Sequence, residues 1–364
     1  EEEVTLTDGR TERVLVPKVY LAITTATHQT TGALISGEQV NLATTGAFTN
    51  SGTVLGRDGV NIDAQAIHQQ GGSLEGNSVQ LIAKDDIQFA GGKVKADTAI
   101  TLTAGNDITL ATTTRTASNA YGQHTTLDQQ TTLTTSGVQG DGQGTITLNA
   151  GHDINTSGAR IDGKGKTTLS AGHDITLDTV NTDVQLNTHA DKHSHQESHH
   201  TEYGSEIGGA TVTLSASNDI TAKASWVHAD EGINATAGHD INLSAGTQTH
   251  DSHDKHHHTE TGFLNSQKIN TETTRHEQSA LTTTVSGNTV TLQAGHDITT
   301  QGTTLAATQQ VKLTAANEIA LGSASEEKQT TAHSNNHQKG VFGGGSLGLF
   351  VGEQTTTQDD SSQQ

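Results

Sequence analysis

Aliphatic and polar residues alternate along this chain in short bursts that return with a fixed period. Each repeat is headed by a pair two residues apart: Val40/Leu42, Val60/Ile62, Val79/Leu81, Ile100/Leu102, Ile146/Leu148, Val212/Leu214, Val290/Leu292 and Val311/Leu313. An acidic phrase follows, reading Ala-Lys-Asp-Asp-Ile from 83, Ala-Gly-Asn-Asp-Ile from 104 and Ala-Gly-His-Asp-Ile from 150, 171, 237 and 294, with looser copies from 216 and 315. A second pair comes next, as in Ile108/Leu110, Ile175/Leu177, Ile241/Leu243 and Ile319/Leu321. A third segment carries Leu34, Val54, Leu74, Val94, Ile161, Val227 and Leu305. Alternation at period two predicts strands with one buried face.

The acidic position falls at Asp86, Asp107, Asp153, Asp174, Asp219, Asp240, Asp297 and Glu318, in steps of 21, 46, 21, 45, 21, 57 and 21. One 21-residue period taken from each long step leaves 25, 24 and 36 inserted residues. Gly32, Gly52, Gly72 and Gly92, spaced by 20, extend the array upstream. Three short strands per coil, punctuated by Gly, Asn and Asp turns, predict an all-β, three-sided parallel solenoid of about ten coils. Each coil adds about 4.8 Å, so ten make a rod of roughly 45 Å. Its narrow interior suits Val, Ile, Leu and Ala, with little room for rings. No 3.6-residue stripe supports a helical alternative.

The inserted segments leave the array just after the second strand of a coil, on alternate coils, at about 111–143, 178–208, 244–286 and 322–364. Each reads as a β-hairpin of two polar arms around a Gly-containing centre: Tyr121-Gly122, Tyr203-Gly204, Gly262-Phe263 and Phe342-Gly343. Hairpins two coils apart are spaced to pair edge to edge in one lateral sheet, which would also hide their open edges. Residues 1–31 form a separate lead-in to the repeat domain at 32–364: a hairpin around Asp8-Gly9 in a primed turn, then Pro17 and the strand-like Val19–Ala22.

Composition narrows the function. Basic residues number 19 against 40 acidic, giving a net charge of −21, which argues against nucleic acid as a partner. Aromatics make up only 2% of the 364 residues, too few for an ordinary globular core of this length. No apolar run approaches the roughly 20 residues of a membrane helix. With no Cys there are no disulfides and no thiolate zinc sites. The chain opens on Glu1 with no signal peptide visible, which reads as an excised segment.

Candidate chemistry rests on histidine, present 21 times. His152, His173, His239 and His296 occupy one corner of the repeat. On the inserts, His193, His195, His199, His253, His256 and His258 are candidate ligands for zinc, nickel or copper, since positions two apart on a strand share a face. The plainer reading is a solvated polar arm that gains charge below about pH 6.5. The acidic column invites comparison with a calcium ladder, but the Gly-Gly-x-Gly-x-Asp core is absent. An Asp ahead of a strand at a tight corner is expected to bond its own backbone. No cofactor is expected. The chain lacks the clustered carboxylates and aromatic platforms of a polysaccharide-cleaving solenoid, so it reads as no enzyme. Tyr121, Tyr203, Phe263, Phe342, Leu347, Leu349 and Phe350 lie in the inserts. They are candidate contacts for a membrane or partner, or else pack one hairpin on the next.

The phrase Ala-Gly-His-Asp-Ile-Thr-Leu at 171–177, its pairing at 21 residues and Gly-Thr-Val-Leu-Gly-Arg at 52–57 resemble the haemagglutinin repeats of filamentous haemagglutinin-type exoproteins. The resemblance covers residues 19–364. Residues 14–21, entering Gly32–Gly37, resemble the start of the second repeat region in contact-dependent growth-inhibition proteins. It implies a right-handed parallel β-helix in a protein secreted or displayed by a Gram-negative bacterium, with a periplasmic stage before export. It also implies an outer-membrane two-partner secretion transporter. In that family the second repeat region lies between a receptor-binding part and a C-terminal toxin, and is implicated in carrying the toxin across the target cell's outer membrane. The implied partners are that membrane or a surface receptor, met by a monomeric segment of a longer chain. The rival expectations are an adhesin shaft and a His-rich metal-binding surface. The His-rich arms here depart from the Ser- and Gly-rich hairpins of the family.

Overall fold

The computed structural model describes residues 2–5, 11–14, 32–137, 144–344 and 348–363. The chain divides into two units, Glu1–Thr31 and Gly32–Gln364. In the first, Glu2–Thr5 pairs antiparallel with Thr11–Val14, Glu2 opposite Val14 and Thr5 opposite Thr11. The Asp8-Gly9 turn and the segment from Pro17 to Ala22 lie outside the described residues.

The second unit is all β. Two parallel sheets run along a stack of coils, one of ten strands and one of twelve. In the ten-stranded sheet each coil contributes one short strand, such as Ile87–Ala90, Ile108–Ala111, Ile154–Ser157 and Ile175–Asp178. These pair in register, so that Ile87, Ile108, Ile154 and Ile175 form one inward column. In the twelve-stranded sheet the third segment and the first apolar pair, expected as separate strands, run on as one long strand in most coils. Thr53–Ala64, Ser73–Ala83 and Trp226–Ala237 are examples. The pairing slips at a fixed place in these strands, at Gly56/Val60 and Gly76/Ser78, which is where the expected corner falls. A Cβ at Gly56 would sit 2.0 Å from the Gly59 carbonyl oxygen, so only glycine lets the backbone turn that tightly.

The core is the interior of the stack. Val60, Leu74, Leu81, Ile100, Leu102, Ile146 and Leu148 are fully enclosed, each worth about 1.5–3 kcal/mol of transfer free energy. The third column runs through Ile35, Val54, Leu74, Val94, Leu133, Ile161, Ile207, Val227, Val285 and Leu305. Ile35, not Leu34, therefore holds the inward register in the first coil. Room for rings is small, as expected, but not nil: Phe89 is 2% exposed, and partly buried Phe48 packs against the same core. Phe89 occupies the column between Gln69 and Leu110, where Gln69 and Asn50 join side chains at 3.0 Å.

Four hairpins leave the stack directly after Ala111, Asp178, Ser244 and Gly322, the ends of alternate strands of the ten-stranded sheet. Hairpin I is Thr114–Asn119 with Gly122–Leu127, and hairpin II is Val180–Ala190 with His193–Tyr203. Hairpin III is Gly246–Thr261 with Asn265–Leu281, and hairpin IV is Glu327–Gly344 with Gly348–Gln363. All four pair side by side in one eight-stranded antiparallel sheet. The stack resumes at Thr131, Glu206 and Thr283, earlier than the expected re-entry, because each returning chain first lays down the third segment of the next coil. Hairpin II turns at Asp191-Lys192 rather than at Tyr203-Gly204, which lies at its root.

Candidate functional site

Two places concentrate polar chemistry: the corner that carries the acidic phrase, and the lateral sheet.

At the corner each acidic side chain reaches across to the next coil. Asp86 Oδ1 accepts the Asp107 amide at 3.2 Å, Asp107 that of Asp153 at 3.0 Å, and Asp153 that of Asp174 at 3.0 Å. The series continues from Asp174 to Asp219, Asp219 to Asp240, Asp240 to Asp297 and Asp297 to Glu318, each at 2.9 Å. The expected bond to its own backbone is thus replaced by a ladder between coils, and the amide that follows the acid is itself engaged across coils, as Ile108 N–H is by the Asp153 carbonyl at 2.9 Å. The residue before the acid serves the same ladder. Asn106, Asn218 and Asn317 donate side-chain N–H groups to the preceding coil's carboxylate at 2.8 Å, and the ring nitrogens of His152 and His239 stand 3.3 and 3.2 Å from theirs. Asn Nδ2 and His Nδ1 occupy equivalent places, which is why the two alternate in the phrase. Burial raises the Asp174 carboxyl, but the Asp219 amide, the Asn218 side chain and His173 outweigh it and hold the group below its usual range.

The glycine of the phrase sets the coil spacing. Gly105, Gly151, Gly172, Gly238 and Gly295 donate to the preceding coil at 3.0 Å, and Lys84 and Ser217 in the same place stand at 3.1 and 3.3 Å. A Cβ at Gly172 would lie 2.0 Å from the Gly151 carbonyl oxygen.

The lateral sheet is laced by histidine–carboxylate pairs. His195 Nδ1 lies 2.6 Å from Asp254, His200 Nδ1 2.7 Å from Asp183, His253 Nε2 2.6 Å from Glu272 and His337 Nε2 2.6 Å from Glu353. His276 pairs with Asp251, and His333 with Asp359. These six histidines are therefore held in cross-strand pairs while remaining partly exposed. Asp254 and then Glu197, accepting the two ring N–H groups, hold His195 above the ordinary imidazole range. His199 and then His195 hold Glu197 below the usual carboxylate range.

Register sorts the candidate ligands. His193, His195 and His199 face the same side as His250, His256 and His258, since His193 lies opposite His256 and His199 opposite His250. His253 lies on the other side, opposite Gln196. His250 was missed because its value comes from cross-strand register, which local spacing does not reveal. Among the described residues, three clusters bring ligand atoms within 4.8 Å of one another: His152/Asp153/His173, His239/Asp240/His296 and Glu197/His199/His250.

The apolar candidates separate as well. Tyr121 lies at the turn of hairpin I, and Phe263 at that of hairpin III is 100% exposed beside exposed Leu264. Tyr203 is exposed at the root of hairpin II. Leu347, together with the side chains of Phe342, Leu349 and Phe350, lies outside the described residues; in the backbone, Phe342 is opposite Phe350. At the root, buried Glu202 accepts the Thr247 amide at 2.7 Å and pairs with Lys223 at 2.7 Å, tying hairpins II and III to the stack. Burial raises its carboxyl, but Lys223 and the Thr247 amide outweigh that and hold it below the usual range.

A family model described as "Hemagglutinin repeat" matches the chain four times, over residues 61–126, 118–192, 184–265 and 262–363. The chain is also 32% identical over 121 residues to the tRNA nuclease CdiA-2 of Burkholderia pseudomallei (strain 1026b), a match covering 33% of this chain and 4% of that protein. This chain thus corresponds to a small part of that relative's length. No solved structure matches it. The four matches span most of the coils and all four hairpins, and the chain belongs to the hemagglutinin-repeat family of filamentous haemagglutinin-type proteins.

Proposed function

We propose that this chain is a non-enzymatic structural segment of a secreted or cell-surface exoprotein of a Gram-negative bacterium, exported through an outer-membrane two-partner secretion transporter. The stack of coils acts as a right-handed, three-sided β-helical rod. Right-handed crossover is the strongly favoured hand for parallel strands, and the register slip supports a third side. The lateral hairpin sheet is its working surface, engaged in toxin delivery across a target cell's outer membrane as in contact-dependent growth inhibition. The observation that carries this reading is the repeat itself. Four family matches cover a chain whose polar groups are spent on bonds between coils and between hairpins, and 121 of its residues align at 32% identity with a relative named as a tRNA nuclease. An adhesin shaft is the second reading, favoured by the bare Phe263-Leu264 tip.

The test is sedimentation with intact bacteria and with outer-membrane vesicles, comparing the chain with a variant whose hairpins are cut to short Gly-Asn turns. The proposal expects only the uncut chain to pellet, with vesicles as well as with cells. Pelleting with host cells alone would favour the adhesin shaft. Equal behaviour of both variants would overturn the role of the sheet.

A further inference from the structure

We propose that Glu197, His199 and His250 form a binding site for a divalent ion of the zinc class, which clamps hairpin II to hairpin III. His199 and His250 lie directly opposite one another on neighbouring strands of the two hairpins, and Glu197 is two residues from His199 on the same face. His199 Nε2 is 2.8 Å and His250 Nε2 3.2 Å from the same oxygen, Glu197 Oε1. The two rings stack with centroids 3.9 Å apart. His250 Nε2 is buried and, despite its closeness to Glu197, has no hydrogen bond of good geometry. One carboxylate oxygen thus collects two imidazole nitrogens, of which only one is satisfied.

Two imidazole nitrogens and a carboxylate oxygen are a ligand set that zinc accepts with a fourth place left for water. A tetrahedral ion with bonds of about 2.0 Å holds its nitrogens about 3.3 Å apart. The rings, stacked 3.9 Å apart and inclined at 25°, bring the nitrogens to the right neighbourhood, and ion binding requires the two imidazoles to splay by side-chain rotation so that both in-plane lone pairs meet the ion. A second layer is already in place. Glu197 Oε2 faces His195 Nε2 at 3.3 Å, and His195 Nδ1 is fixed by Asp254 at 2.6 Å, the kind of outer support that orients a metal-binding carboxylate.

The two corner clusters lack these features. Their rings stand parallel at 4.9 Å, and their Nδ1 atoms face carboxylates already engaged by backbone amides of the ladder. Metal binding there would compete with the bonds that join the coils. The lateral site costs the fold nothing comparable, and its ligands come from two hairpins.

The experiment is calorimetric titration of the chain, carrying no histidine tag, with zinc chloride at pH 7.5. Hydrogen exchange is followed in parallel, and the absorption spectrum of the cobalt(II)-loaded unmutated chain is recorded. A saturable site of one ion per chain is expected, weakened at least tenfold by His250→Gln or Glu197→Gln and unchanged by His239→Asn or His253→Gln. Zinc should slow exchange in strands 193–203 and 246–261, and cobalt should give the intense bands of tetrahedral coordination. The cobalt spectrum keeps the test open should a substitution disturb the sheet. Absence of a saturable site, an octahedral cobalt spectrum, or equal affinity in the parent and both ligand variants would overturn the proposal.

Discussion

A single side chain in this molecule usually serves two coils or two hairpins at once. Asp174 accepts both the Asp219 amide and the Asn218 side chain, so removing it leaves two donors unmatched. Asp174→Ala is expected to cost about 1–3 kcal/mol in denaturant unfolding, the usual range for an orphaned donor. His239→Asn should stay close to neutral, because Asn218 already fills that role one coil earlier. The carboxyls of Asp174 and Glu202 are held below their ordinary range in the folded chain. A depressed carboxyl contributes stability that is complete above the unfolded value, near pH 4, and lost as pH falls through the folded one. His195, held above its ordinary range, adds stability that is complete below about pH 6.5 and lost as pH rises through its folded value. Melting temperature should therefore rise from mildly alkaline pH to about 6, level off to about 5 and decline steeply below 4, and Glu202→Gln should flatten that decline.

Each coil and each hairpin was legible to the degree that its signal was local. The apolar pairs are two residues apart, so Ile100/Leu102 and Ile108/Leu110 announced their strands directly. The hairpin exits at Ala111, Asp178, Ser244 and Gly322 followed from the point where alternation turned polar. Re-entry was harder to see. Thr131–Thr135 carries one aliphatic residue, Leu133, between threonines, and reads as more hairpin until Val94 and Ile161 are found stacked against it. The turn of hairpin II was hidden for a similar reason: Asp191-Lys192 is an unremarkable pair, and Tyr203-Gly204 looked more like a turn. The ladder and the Glu197 cluster needed register across coils and hairpins, which one strand's sequence does not contain. At this scale the root matters most. Glu202→Ala should leave Lys223 and the Thr247 amide unmatched and speed amide exchange at the start of hairpin III by about tenfold or more, while strands deep in the stack keep their protection.

Across the whole repeat unit, stability is a sum over neighbours, since each coil touches only those above and below it. A cavity at Leu102, fully enclosed in the stack, should cost about 2–5 kcal/mol. Its effect should spread by exchange to adjacent coils before distant ones. The lateral sheet adds a second chain of neighbours in the same order, I to II to III to IV, so hairpins far apart in sequence become one surface. That joining is the central claim, and the absence of cysteine allows a clean test. Ser198 of hairpin II and Asp251 of hairpin III are directly opposite, with side chains 3.4 Å apart. The double variant Ser198→Cys/Asp251→Cys should form an intramolecular disulfide on mild oxidation. The offset pair Ser198→Cys/His253→Cys should not, since diagonal neighbours stand beyond disulfide reach. Equal cross-linking of both pairs, or of neither, would contradict a lateral sheet in this register.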